Sequence, residues 1–187
     1  MKEIARMRNL ARRNALTPKE VAEKSLRIKE NFLGLPEFQD AESVMLFYGV
    51  KNEPETKSII EKALSLGKLV SLPLTDFGKR QMKAIQVGAM EELRETRFGL
   101  VEPTGTRAVE PSSIGLIAMP GVAFDRQGNR IGWGKGFYDS MLRRTSTKVV
   151  LAGICFEENL EESLPCESHD VKMNIIVTDR RVVRCEK

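Results

Sequence analysis

The 187-residue chain is 41% hydrophobic and 30% charged, which is enough apolar mass for a core and too balanced for intrinsic disorder, so one domain over residues 1–187 is expected. The longest uncharged apolar run, Ser112 to Phe124, is broken by Pro120 and Gly121 and falls short of the ~20 residues of a membrane helix. Net charge is +4, but residues 1–30 hold nine Lys/Arg against four Glu while the remainder holds 21 basic against 22 acidic residues, so the basic excess is confined to the N-terminus.

That start lacks the apolar stretch of a secretory signal, and Glu3 argues against a transit peptide, so residues 2–14 are expected to form a short basic helix. Thr17-Pro18-Lys19-Glu20 has the order of a capping box with Pro at the first helical position. It predicts a helix to about Leu33, with an apolar stripe of Val21, Ala22, Leu26, Lys29, Phe32 and Leu33 and a stop at Gly34-Leu35-Pro36. Ser43 to Tyr48 has the pattern of a buried strand, Thr56 to Leu66 that of a helix stopped by Gly67, and Leu69 to Leu72 that of a strand ending before Pro73. Together they predict a βαβ unit with parallel strands.

Gln81 to Val87 alternates weakly and is expected as a peripheral strand, while residues 88–111 are loop-rich and give no assignment. Ile114 to Met119, Val149 to Ile154 and Asn174 to Thr178 then read as strands, with a helix from Phe137 to Arg144. The predicted class is α/β: a three-layer α/β/α domain with a mostly parallel sheet. In such folds ligands gather beyond the carboxyl ends of the strands, here the loops after residues 48, 72, 119, 154 and 178.

Cys155, Cys166 and Cys185 make neither a CxxC knuckle nor an even disulfide set; free thiols and a cytoplasmic location are expected. The single histidine, His169, excludes a multi-histidine metal site and leaves only one possible His-based catalytic group.

The densest chemistry follows the strand at 114–119. Gly132, Gly134 and Gly136 alternate around Trp133 and Lys135 and lead into a helix. Such a loop offers unobstructed backbone N–H groups and a positive helix start to phosphate oxygens, to which Arg130 and Lys135 add full charges. The spacing matches neither GxxxxGK[ST] nor GxGxxG, so the glycines alone leave phosphate binding and plain turns both open.

The full string is more specific. Pro-Gly-Val-Ala-Phe-Asp from Pro120, then Gly-Asn-Arg-Ile-Gly-x-Gly-x-Gly-x-Tyr-Asp from Gly128, closely resembles the signature of the 5-formyltetrahydrofolate cyclo-ligases, also called 5,10-methenyltetrahydrofolate synthetases. Lys2 with Arg6 resembles that family's N-terminal basic pair, and Tyr48 to Thr56 its strand followed by Glu and Thr. Phe98 to Pro103 resembles its Phe-Gly-x-x-Glu-Pro, and Pro165 to Asp170 its Pro…His-Asp. Trp133 stands where the family commonly has tyrosine or another large residue, and Phe137 replaces a frequent tyrosine.

The resemblance implies ATP- and Mg²⁺-dependent conversion of 5-formyltetrahydrofolate to 5,10-methenyltetrahydrofolate, with release of ADP and phosphate. By the same resemblance Lys2, Arg6, Arg130, Ile131, Gly132, Trp133, Gly134, Lys135, Gly136, Phe137 and Tyr138 bind ATP, with Lys135 and Arg130 as the catalytic cations. Tyr48, Glu53, Trp133, Gly134, Lys135, Gly136 and Phe137 are expected to bind the folate. Asp139 and Asp170 are the expected magnesium carboxylates. A monomer with no nucleic-acid or membrane partner is expected. Two other readings make different predictions. A sugar-phosphate isomerase or acyl-transfer relative on a similar fold releases no ADP, and a nucleic-acid module using the basic N-terminus binds with a steep salt dependence.

Overall fold

The structure, a computed structural model, describes residues 1–96, 99–143, 145–146, 148–167 and 170–185; the expectations placed on Phe98, Arg144 and His169 lie outside them. The helices are α1 (Lys2–Asn14), α2 (Pro18–Leu33), α3 (Pro36–Asp40), α4 (Lys57–Ser65) and α5 (Phe137–Leu142). In chain order the strands are β1 (Ser43–Met45), β2 (Leu69–Asp76), β3 (Gln81–Val87), β4 (Leu93–Glu95), β5 (Val101–Pro103), β6 (Ala108–Val109), β7 (Leu116–Pro120), β8 (Ala123–Asp125), β9 (Arg130–Ile131), β10 (Val150–Ile154), β11 (Leu160–Glu161), β12 (Ile175–Val177) and β13 (Val182–Arg184).

An eight-stranded sheet runs in the order β13-β12-β10-β7-β1-β2-β3-β6. Its middle, from β12 to β2, is parallel, and β13, β3 and β6 close the edges antiparallel. Because side chains alternate along a strand, one face presents Val44, Val70, Leu116, Ala152 and Ile175 to α2, α3 and α4, around Ile28, Phe32, Phe38 and Ile59. The other face presents Met45, Ile117, Met119, Leu151 and Ile176 to Met141 and Leu142 of α5 and to Phe124 of β8. The expected α/β/α layering is therefore present, with β8, β9 and β11 forming a small second sheet on which α1 packs through Ala5 and Leu10.

The capping box forms as expected: Thr17 Oγ1 accepts from Glu20 N at 3.3 Å, and Glu20 Oε2 accepts from Thr17 N at 2.8 Å. The predicted stripe of α2 is wrong by part of a turn. Ser25, Ile28 and Phe32 are the buried residues, whereas Ala22 and Leu26 are exposed. Ser25 takes the inward position because its hydroxyl oxygen accepts from Glu55 N at 2.9 Å, a polar contact that an apolar pattern does not register. Phe124 fills the space under the sheet so closely that a Cβ on Gly121 would lie 2.5 Å from its ring, and one on Gly153 would lie 2.4 Å from it.

Strand β2 continues past Pro73 to Asp76, beyond its predicted end. Strand β1 stops at Met45 opposite Ser71, so from there β2 has an unpaired edge, where a proline costs no ladder bond. Residues 88–111 hold the β4–β5 hairpin and the edge strand β6.

Candidate active site

The loop after β1 is shaped by one glycine and one threonine. Thr56 Oγ1 accepts from Gly49 N at 2.9 Å and donates to Phe47 O, which pinches residues 47–56 into a tight turn. A Cβ on Gly49 would lie 2.1 Å from Pro54 O, so only glycine lets the chain fold back so closely. Lys51, at φ 56°, completes a turn in which Glu53 N donates to Val50 O at 3.1 Å and Glu53 Oε2 accepts from Val50 N at 3.2 Å. The turn leaves the Glu53 carboxylate at the carboxyl end of the sheet, 7% exposed.

The loop after β9 approaches from the other side. Gly134 and Gly136 take left-handed φ values of 86° and 69°, which L side chains adopt only under strain. The Arg6 guanidinium docks on this loop, its Nε donating to Gly132 O at 2.9 Å. Arg130 donates from Nη2 to Asp139 Oδ1 at 2.7 Å and from Nη1 to Pro120 O at 3.3 Å. Trp133 Nε1 donates to Glu53 Oε1 at 3.2 Å, joining the two loops. Lys135 is exposed and makes no ion pair among the described residues; its Nζ sits 5.2 Å from the centre of the Phe77 ring.

Together these segments enclose a cleft of about 760 Å³. Every residue expected to serve the site lines it: Lys2, Arg6 and Tyr48, then Glu53, Arg130, Ile131, Gly132, Trp133, Gly134, Lys135, Gly136, Phe137, Tyr138, Asp139 and Asp170. Of the loops expected to gather ligands, those after residues 48, 72 and 119 contribute, the connection after 154 contributes through its far end at Asp170 and Val171, and the turn after 178 does not. The start of the connection after 154 and the turn after 178 are tied to each other by their own charges. Lys24 bridges Glu158 and Asp179 at 2.7 and 3.0 Å, Glu157 N donates to Asp179 Oδ1 at 2.8 Å, and Arg181 pairs with Glu157.

Three residues without an expected role join the site. Phe77, at the tip of the β2–β3 hairpin, meets Phe137 edge-on at 5.4 Å between ring centres. Glu102, buried on β5, accepts from Thr75 N at 2.9 Å and lines the cleft. Arg13 of α1 lies behind Trp133, its Cζ 5.2 Å from the ring centre.

Electrostatics follow burial. Desolvation pushes the Glu53 carboxyl above the usual range, opposed by Arg13, the Val50 N–H, Trp133 and Lys51. Burial, helped by Glu53, pushes the Tyr138 phenol upward despite Arg130. Burial works against the Lys2 ammonium, but hydrogen bonds to Asp170 and Glu167 outweigh it and raise its affinity for the proton.

No cluster of three or more His, Cys, Asp or Glu is present among the described residues; the two carboxylates expected to hold a metal, Asp139 and Asp170, both line the cleft. Lys2 Nζ donates to Asp170 Oδ2 at 2.7 Å, and Asp139 keeps Oδ2 without a hydrogen bond among the described residues. Two hard carboxylates bordering the cleft are donors of the kind that suit Mg²⁺, which usually takes one or two protein oxygens along with water and substrate phosphates.

The 5-formyltetrahydrofolate cyclo-ligase family model matches residues 1–179. The chain is 32% identical over 175 residues to the 5-formyltetrahydrofolate cyclo-ligase of Escherichia coli K12, covering 91% of this chain and 96% of that protein. It is 27% identical over 177 residues to the mouse (Mus musculus) 5-formyltetrahydrofolate cyclo-ligase, covering 89% and 87%. Among solved structures it is similar to Aquifex aeolicus 5,10-methenyltetrahydrofolate synthetase, with a TM-score of 0.87 and 30% identity over 100% of this chain and 93% of the other. A match that runs through both loops of the cleft, on a fold shared from end to end, leads to one assignment: the chain belongs to the 5-formyltetrahydrofolate cyclo-ligase family of enzymes.

Proposed function

We propose that the chain converts 5-formyltetrahydrofolate and ATP to 5,10-methenyltetrahydrofolate, ADP and phosphate, with Mg²⁺ bound. The observation that carries this reading is the meeting, in one cleft, of a basic glycine loop suited to nucleotide phosphates with a buried carboxylate and flat rings suited to a pterin.

The chemistry sets what the protein must do. The formyl nitrogen donates into its carbonyl, so the carbon is a poor electrophile and the oxygen a poor leaving group. Transfer of the γ-phosphoryl of ATP to that oxygen forms an O–P bond as ADP departs, giving an imidate phosphate. N10 then bonds to the carbon, the C–O bond breaks with phosphate as leaving group, and the N10 proton is released as the ring closes. No protein nucleophile is needed; alignment and neutralisation of the charge on the transferring group are the work of the site.

In this reading Lys2, Arg6, Arg130 and the loop from Ile131 to Tyr138 hold ATP. Lys135, free of any carboxylate partner among the described residues, meets the transferring phosphoryl group. Glu53 accepts from pterin or N10 donors, while Tyr48, Trp133 and Phe137 pack against the folate's flat groups. Asp139 and Asp170 would hold Mg²⁺, which supplies charge neutralisation for the nucleotide phosphates.

The remaining N-terminal charge is largely satisfied internally. Arg8 and Arg12 pair with Glu161 at 2.8 and 2.9 Å, and Arg13 is 2% exposed, an arrangement that favours a cleft ligand over a nucleic-acid surface. A single chain supplies every residue named, which supports a working monomer.

The test follows the near-ultraviolet absorbance of the methenyl product in parallel with ADP release. Equal formation of both, lost in Lys135→Ala and Asp139→Ala variants that keep the wild-type circular dichroism, is expected. Folate-independent turnover of a phosphorylated metabolite without ADP release would sink the proposal.

A further inference from the structure

Arg13 carries a full charge into a place where charge is costly. It is 2% exposed, its Nε has no hydrogen-bond partner among the described residues, and its one backbone hydrogen bond among them, from Nη1 to Gly121 O, is long at 3.5 Å. A buried guanidinium with an orphaned N–H costs stability unless something nearby needs it. Its neighbours are two cleft residues. Nη1 lies 3.8 Å from Glu53 Oε1, the same oxygen that accepts the Trp133 indole N–H. The indole, 48% exposed, stands between Arg13 and the cleft.

We propose that Arg13 is a positioning residue for folate recognition: through a cation–π contact it pins the Trp133 indole as a flat wall of the cleft, and through Glu53 it keeps a carboxylate aimed at the pterin. The inference rests on the folate reading of the cleft given above. The groups facing Glu53 are Arg13 from α1, Lys51 and the Val50 N–H from its own turn, and Trp133 from the glycine loop; Tyr138 of α5 also feels its charge. Arg13 is the largest of the influences that oppose burial of this carboxylate, so its loss should drive Glu53 toward the protonated acid, which donates where the site needs an acceptor. The opposite face of the indole is left for an aromatic ring of the substrate.

Trp133 is the chain's only tryptophan, so its emission reads this cluster independently of turnover. The experiment titrates emission with pH, and measures KM for 5-formyltetrahydrofolate and kcat, in the full-length wild type, Arg13→Met, Arg13→Lys and Glu53→Gln. Wild-type emission should follow a transition that Glu53→Gln abolishes. Its midpoint should rise by about one pH unit or more in Arg13→Met and stay close to wild type in Arg13→Lys. KM for the folate should rise about tenfold in Arg13→Met with kcat little changed, and Arg13→Lys should restore most of the loss.

A folded Arg13→Met protein with the wild-type midpoint and KM would overturn the proposal. If Arg13→Met does not fold, Arg13→Met/Glu53→Gln removes both buried charges and is compared with Glu53→Gln alone. A further tenfold rise in KM overturns the claim that Arg13 acts through Glu53, and near-equality supports it. Should wild type show no cyclo-ligase turnover, the proposed function fails while the emission titration still decides the role of Arg13.

Discussion

Asp125 belongs to the sequence signature that suggests a functional role, yet it is fully buried and absent from the cleft lining. Its carboxylate is instead a four-way acceptor. Oδ1 accepts from Gln127 N at 3.0 Å and Asn129 N at 2.9 Å, and Oδ2 accepts from Asn129 Nδ2 and Leu164 N, each at 2.8 Å. It closes the turn between β8 and β9 and ties that hairpin, which carries Arg130, to residue 164. Asp125→Ala strands four donors, most of them buried.

At the low end of ~1 kcal/mol for each orphaned donor the loss is ~4 kcal/mol, within the ~3–5 kcal/mol typical of removing one partner from a buried charged network. For a chain of this length that corresponds to a fall of ~8–16 °C in Tm. Asp125→Asn keeps one acceptor oxygen but turns an NH₂ toward a donor, so about half the loss, ~2 kcal/mol, is expected. Urea denaturation followed by circular dichroism measures both. A loss under ~1 kcal/mol for Asp125→Ala, with the fold intact, would refute the assignment of Asp125 as the brace of this hairpin.

Gly49→Ala should lower kcat/KM for the folate by ~10²-fold, because a methyl group 2.1 Å from Pro54 O must displace the turn that places Glu53; wild-type folate kinetics would refute that geometry. Burial opposes ionisation of Glu161, but Asn9, Arg12 and Arg8 outweigh it and hold the carboxyl below its ordinary value of 4.5. Its stabilisation is therefore present above that value and lost as pH falls through its own lower one, so Glu161→Gln should flatten the acid limb of the stability–pH curve. A thiol reagent at about pH 8 should label exposed Cys166 quickly and leave two thiols until unfolding. Burial pushes the Cys155 thiol well above its ordinary range and half-buried Cys185 up to about 11; rapid reaction of two thiols would contradict the packing around β13.

The layered fold was legible because its parallel strands are short apolar runs separated by capped helices, and Thr17, Glu20 and Gly67 mark the breaks chemically. Residues 88–111 were not, since their ladders are two or three residues long and are held by distant partners, such as Glu102 on Thr75 N. The glycine loop and its cations could be found because their spacing is local. Arg13 and Phe77 could not be found in the same way, because their roles arise from contacts far away in sequence. Arg13 falls within the basic N-terminal helix with nothing local to set it apart from Arg12, although Ala5, Asn9 and Arg13 fall four residues apart and are the buried face of α1. A helical polar stripe of that kind is the signal that would have revealed it. Phe77 sits at a hairpin tip, where sequence offers no periodicity.

The Phe124 ring occupies the space that side chains at Gly121 and Gly153 would need, although Gly153 on β10 is far in sequence from the other two. Their volumes are consequently one shared quantity. A methyl group added at residue 153 and a smaller side chain at residue 124 should each be damaging alone and partly forgiving together, a non-additivity expected for residues in contact. Diversification of this region, whether in nature or in the laboratory, is therefore expected to proceed through paired exchanges, with the Arg130 hairpin carried along because β8 supports both.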